Sequence, residues 1–157
     1  MTNLDSEAQG QPSDEEKYVG YGRSLHAAVE RALVPWLTST LESRHGAELP
    51  AAVVEAITSA AQDALSNLTE LIEADVDQPL SGPLEQIRRA VSTLGPVLDK
   101  HGFARPARDP YDQQMRPDDV HALGPISFMD LSEEVQSAGI TWGAAKAHLH
   151  TSRRRTE

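Results

Sequence analysis

The sequence predicts an all-α protein: an antiparallel three-helix bundle with a long central helix, plus a C-terminal helical hairpin. Three observations favour this fold. Segment 50–76 carries apolar residues three and four positions apart along its length, which is typical of an amphipathic helix. The same period recurs around residues 25–41 and 84–98. Hydrophobic residues make up 39% of the chain but aromatic residues only 4%, so small aliphatic side chains must fill the core, as suits closely packed helices.

The first predicted helix begins near Ser24, or as early as Asp14 if two intervening glycines are tolerated. Its apolar stripe consists of Leu25, Val29, Leu33, Trp36, Leu37 and Leu41. Pro35 lies inside this stripe and predicts a kink rather than a break, because the stripe continues in phase beyond it. Gly46, which can adopt a left-handed conformation, is expected to end the helix.

The second predicted helix is the long central one, from about Pro50 to Val76. No Lys or Arg occurs in it, although a solvated helix of this length normally uses such residues for pairs three or four positions apart. Its weakly charged back is therefore a predicted partner surface, represented by Glu55, Ser59, Gln62 and Ser66.

A third helix is predicted to begin at Pro83 and to end at about residue 102, with Gly95 and Pro96 disturbing its last turns. Segment 103–126 is then irregular and proline-rich, and is predicted to be either a linker or an ordered excursion over the bundle. Within it Asp109, Tyr111 and Asp112 form a predicted turn. Tyr111 is expected to anchor the segment by burying its ring, and the alternative for all three residues is recognition of a partner.

The C-terminal hairpin is predicted for residues 127–152. Ser127 and Asp130 fit a capping box that opens its first helix, and a turn is predicted over residues 138–141 around Gly139. A second helix follows with Trp142 on its apolar side, as a core or interface residue. The predicted organisation is thus a disordered acidic tail 1–16, a bundle 17–102, the irregular segment 103–126, the hairpin 127–152 and a basic tail 153–157.

Composition narrows the functional classes. A formal net charge of −10 argues against nucleic acid or an anionic membrane as a partner of the whole surface. The absence of cysteine excludes disulfides, thiolate nucleophiles, zinc fingers and iron–sulfur clusters. No apolar run is long enough to span a membrane, and the acidic, polar start is unlike a secretory signal, so a cytoplasmic location is expected.

The C-terminal hairpin resembles a helix-turn-helix, which inserts its second helix into the DNA major groove. In that alternative the nucleic-acid contacts come from basic and imidazole side chains, namely Lys146, His148, His150, Arg153, Arg154 and Arg155. The competing interpretation is a hairpin that packs on the bundle and ends in a basic tail.

Two histidine patterns are candidate metal sites. Glu42 and His45 have the spacing used in di-iron bundles, but such a site needs a second pair and two further glutamates. His148 and His150 lie about 200° apart on a helix and cannot reach one ion together. No phosphate-binding loop, zinc-protease motif or nucleophile turn occurs. We therefore expect no metal, no cofactor and no catalytic residue.

The preferred hypothesis is a non-catalytic adaptor or regulatory protein that binds another protein or a second copy of itself. The first alternative is a DNA-binding regulator that uses the C-terminal hairpin. The second alternative is a helical bundle that binds a small molecule or a metal, which requires polar groups converging in apolar surroundings.

Overall fold

The computed structural model describes residues 13–77 and 82–156, with the backbone alone for 154–156, and this part of the chain is all-α without a strand. Its α-helices are α1 Asp14–His45, α2 Ala51–Glu73, α3 Pro83–Ser92, α4 Gly95–Lys100, α5 Pro110–Met115 and α6 Glu133–Thr156, and a 3-10 helix spans Phe128–Asp130. α2 packs against both α1 and α3, whereas α6 packs mainly against α1. In the described ranges, no helix combines the length and the apolar character that crossing a membrane requires.

α1 begins at Asp14, the earlier of the two predicted starts. The Ser13 hydroxyl accepts a hydrogen bond from the Glu16 amide at 3.1 Å and caps the helix. The prediction that the disordered tail extends to residue 16 is therefore wrong for residues 13–16, and its remainder lies outside the described residues. The helix continues through Pro35 to His45, and Gly46 caps it with φ 70°, as predicted.

α2 is shorter than predicted, because its helical turns end at Glu73 rather than Val76. Val76 is nevertheless only 6% exposed. The apolar pattern therefore predicts burial correctly at a residue that lies beyond the end of the helix. The next helix divides into α3 and α4 at the predicted Gly95–Pro96 disturbance. Gly102, with φ 78°, follows the end of α4.

The predicted hairpin is wrong, because a single helix of 24 residues, α6, runs through the predicted turn at residues 138–141. Gly139 serves close packing instead: a Cβ placed there would lie 2.6 Å from the Phe128 ring. The predicted capping contact does form, since the Asp130 carboxylate accepts from the Ser127 amide at 3.1 Å. It opens the short 3-10 helix, and α6 begins at Glu133 immediately afterwards.

Segment 103–126 is an ordered excursion over the bundle, but Tyr111 does not anchor it. The Tyr111 ring is 66% exposed, which corrects the prediction that it is buried. The residues of the segment that are buried instead include His121 and Leu123, at 2% and 1% exposure. Arg88 donates to the carbonyl of Pro125 at 2.6 Å, and Arg44 donates to the carbonyls of His121 and Ala122. These arginine contacts satisfy main-chain carbonyls that no regular secondary structure pairs.

Asp99 joins this segment to α4. Its Oδ1 lies 2.8 Å from His121 Nε2, and its Oδ2 accepts from Arg105 at 2.7 Å. The Arg105 guanidinium, and then the His121 imidazole, hold the pKa of Asp99 well below its ordinary value of 3.8. A lowered folded-state pKa means that ionised Asp99 stabilises the fold above pH 3.8, and that this contribution is lost as the pH falls through the folded pKa.

Asp99→Asn is therefore expected to lower the melting temperature at pH 7 and to have a smaller effect in acid. The measurement compares parent and variant by circular dichroism at pH 7 and again below the ordinary Asp99 pKa of 3.8. Asp112→Asn is the control, because that carboxylate has no ion pair in the described part of the chain. A difference in melting temperature between parent and Asp99→Asn that stays constant with pH would contradict the conclusion that ionised Asp99 stabilises the fold.

Candidate functional site

A concave surface beside α1 is bounded by the first turns of α1, the end of α2 and the end of α6. We call it the α1–α2–α6 cleft, and its volume is about 530 Å³. Its floor is apolar and contains Tyr18, Ile72, Val76 and Leu149, each no more than 6% exposed. A volume of this size is in the range of small-molecule sites, roughly 300–1,000 Å³.

Tyr18 connects the cleft to the core. Its ring stacks on the Trp142 indole, with centroids 5.6 Å apart and planes inclined by 26°. Burial raises the pKa of the Tyr18 hydroxyl, so the phenol stays protonated at neutral pH. Trp142 is 2% exposed, so of the two predicted roles, core and interface, it takes the core role in the single chain.

One wall of the cleft is a network of ion pairs. Arg153 on α6 donates to Asp75 at 2.7 Å and to Asp77 at 3.3 Å, and it lies 3.7 Å from Glu15 on α1. His150 Nδ1 lies 2.7 Å from Asp77. The pKa of Asp75 is lowered first by the Asp77 amide and then by Arg153, and that of Asp77 first by His150. The network ties the end of α6 to the segment that follows α2.

The other charged groups on the rim have no such partners. Arg23 on α1 and Glu73 at the end of α2 both line the cleft, and neither forms an ion pair or hydrogen bond with another side chain among the described residues. His26, also on α1, lies 4.0 Å from Glu30, which is the limit of an ion pair.

The residues assigned to the DNA-binding alternative are mostly engaged within the chain. His148 lies 3.0 Å from Asp14, His150 and Arg153 belong to the network described above, and the Lys146 ammonium lies 5.3 Å from the centre of the Trp142 ring. The side chains of Arg154 and Arg155 are outside the described residues. Because α6 is continuous, the helix-turn-helix geometry that motivated this alternative is absent from residues 133–156.

A second concave surface, the α1–α6 groove, lies along a different face of α1. It comprises two adjoining hollows of about 520 and 440 Å³ that share Tyr21 and Thr141. Small side chains line the middle of the groove, namely Ser24, Ala27, Ser137, Ala138 and Ala144. Tyr21 and Ile140 are 37% and 63% exposed beside them. Arg31 and Glu134 pair across one end, and Asp14 and His148 across the other.

The predicted partner surface on α2 is exposed but lines neither concavity. Glu55, Ser59, Gln62 and Ser66 all face solvent. Asp109 and Asp112 lie at the start of α5, where the Asp109 carboxylate accepts from the Asp112 amide at 2.8 Å. α2 makes its main contacts with α1 and α3 rather than with α5, so the predicted α2 residues and the predicted α5 residues are not packed together.

The Glu42–His45 pattern has a structural explanation. The His45 imidazole stacks on the Phe103 ring, with centroids 4.4 Å apart. Across residues 13–77 and 82–156, no group of three or more His, Asp or Glu side chains is placed to hold a metal ion.

The cleft has no local signature in the sequence, because its walls come from segments about fifty and eighty residues apart in the chain. The only available signal was the apolar pattern continuing past α2 to Val76. Comparison of the chain with protein-family models, with curated proteins and with solved structures found no match.

Proposed function

We propose that this chain is a non-catalytic interaction protein that self-associates through the α1–α6 groove. The observation that carries the proposal is the exposure of Ile140 and Tyr21 beside a row of small residues. Small residues let another helix approach closely, and exposed Tyr and Ile side chains supply apolar area that binding would bury. This combination is typical of helix-packing surfaces.

Charge singles out the groove as a face where a second copy can bind. The chain carries a formal net charge of −10, so two copies repel each other over most of their surfaces. The groove differs, because the side chains lining its middle are uncharged and its ends carry groups of both signs. A second copy can therefore approach this face without bringing like charges together.

The geometry suits a two-fold arrangement. α1 and α6 run antiparallel between the Asp14–His148 contact and the Arg31–Glu134 contact, which are separated by about 21 Å along α6 and about 26 Å along α1 at a rise of ~1.5 Å per residue. A two-fold axis through the centre of the groove would place each end of one copy over the opposite end of the other. The four helices would then form a bundle of the common antiparallel type.

The test is Ile140→Glu, which places a carboxylate in the middle of the proposed interface. The parent is expected to sediment as a dimer at micromolar concentration, and the variant as a monomer. Ile140 is 63% exposed in the single chain, so the substitution is expected to leave the fold intact. Analytical ultracentrifugation measures the mass, and circular dichroism checks the fold.

Val54→Glu is the matched control, because Val54 is also exposed, at 48%, but lies on α2 away from the groove. We expect this variant to remain dimeric. A parent chain that is monomeric at about 100 μM, well above the micromolar range of ordinary associations, would overturn the proposal. Dissociation by both substitutions would also overturn it, since it would reflect charge rather than the groove.

A further inference from the structure

We propose that the α1–α2–α6 cleft binds a small zwitterion with an apolar body, in which Arg23 holds the carboxylate and Glu73 holds the ammonium group. The site lies on a different face of α1 from the α1–α6 groove, so this proposal is independent of self-association. It rests on how hydrogen-bond donors, acceptors and apolar groups are distributed around the cleft.

The floor would take the apolar body of the ligand. Tyr18, Ile72, Val76 and Leu149 offer a ring and three aliphatic side chains, and the cavity of about 530 Å³ has room for a molecule with one ring or branched chain. Burial of that group removes apolar surface from water, which favours binding. The floor residues are uncharged at neutral pH and do not require the ligand to carry a charge there.

The α1 wall would bind an anionic group. Arg23 lines the cleft, and none of the described side chains pairs with its guanidinium. A guanidinium binds a carboxylate through two parallel hydrogen bonds. His26, whose side chain is 28% exposed, lies on the same wall and can donate a further hydrogen bond.

The α2 wall would bind a cationic group, for two independent reasons. Glu73 carries an unpaired carboxylate, and the Thr69 hydroxyl donates to the Leu65 carbonyl at 3.0 Å, which leaves its oxygen free to accept. The last turn of α2 also contains no basic residue, so the negative end of its helix dipole is uncompensated. An ammonium group satisfies all of these acceptors.

The remaining charged residues of the rim favour no further ligand charge. Arg153 and Asp75 pair with each other at 2.7 Å, and Glu15 lies 3.7 Å from the same arginine. A ligand with only a carboxylate would leave Glu73 unpaired, and a ligand with only an ammonium would leave Arg23 unpaired. A zwitterion matches both walls.

Isothermal titration calorimetry of the full chain with three related probes tests whether the cleft binds a carboxylate and an ammonium group together. At about pH 6, below the α-amino pKa range, the probes are phenylalanine, which is zwitterionic, N-acetylphenylalanine, which keeps only the carboxylate, and phenylalaninamide, which keeps only the ammonium. We expect phenylalanine to bind at least about tenfold more tightly than either derivative, since each derivative leaves one wall unpaired. Leucine and its two derivatives form a second series with a smaller apolar group.

Two variants test which wall binds the carboxylate and which binds the ammonium group. Arg23→Gln is expected to remove the preference for phenylalanine over phenylalaninamide, and Glu73→Gln the preference over N-acetylphenylalanine. Lys100→Gln and Glu70→Gln are the matched controls, because both residues are exposed and neither lines the cleft. Both controls are expected to keep the parent's selectivity.

The proposal is overturned if neither series binds, or if the zwitterion binds no more tightly than its derivatives. Selectivity that survives both wall variants also overturns it. Because Ile140→Glu leaves the cleft unchanged, zwitterion binding to that variant is expected to equal binding to the parent. Failure of self-association and failure of ligand binding are therefore observed separately.

Discussion

Trp142→Ala is expected to lower the free energy of unfolding by about 3–5 kcal/mol, as is typical for truncation of a buried aromatic residue. The indole is 2% exposed and stacks on Tyr18, so its removal leaves a cavity between α6 and α1. The cavity cannot close without moving one helix against the other, because interiors are close-packed. Urea denaturation followed by circular dichroism measures the loss.

Val54→Ala is the control for this substitution. Val54 is 48% exposed and lies on α2 outside both the cleft and the groove, so its truncation is expected to change stability by no more than about 0.5 kcal/mol. An unchanged denaturation midpoint for Trp142→Ala would contradict the packing of α6 on α1 within one chain.

Gly22→Ala is expected to lower the free energy of unfolding by about 1–3 kcal/mol, the usual cost of overpacking a core. A Cβ at this position would lie 2.5 Å from Ile72 Cγ2 and 3.3 Å from Trp142 Nε1. Ile72 cannot turn aside cheaply, since its branched Cβ restricts χ1 and the side chain is only 6% exposed. Thermal and urea unfolding measure the change.

Gly20→Ala is the matched control, because it makes the same substitution two residues earlier in the same helix. A Cβ there meets nothing within 4 Å. Alanine favours helix over glycine, so this variant is expected to be more stable than the parent by about 0.5–1 kcal/mol. If both variants stabilise the protein, the close approach of α1 to Ile72 and Trp142 is wrong.

Much of the fold was predictable because its signals are local. The apolar stripes of α1 and α2 follow from the helical period, and burial of Leu25, Leu33 and Leu68 agrees with them. The sequence predicts helix ends at Gly46 and at about residue 102, and Gly46 and Gly102 both have positive φ next to helix ends. Periodicity and capping depend only on residues within a few positions of one another.

The predictions for Gly139 and Tyr111 are wrong because the roles of both residues depend on distant parts of the chain. Gly139 was interpreted as a turn, yet it permits the Phe128 ring to pack against an unbroken helix. Tyr111 was interpreted as the anchor of segment 103–126, but Arg44, Arg88 and His121 hold that segment. A glycine serves turns and close contacts equally well, and nothing in the neighbouring residues distinguishes the two.

The candidate sites depend entirely on the tertiary structure. Helical period and helix ends are properties of short stretches, so the chain's residues specified an all-α protein and most of its helix boundaries. The cleft and the groove depend on α6 folding back along α1, which sets Leu149 and Arg153 beside Tyr18 and Asp75. That arrangement follows from shape: Trp142 fills the space that Gly22 leaves open, and complementarity between segments about 120 residues apart has no periodic trace in the sequence.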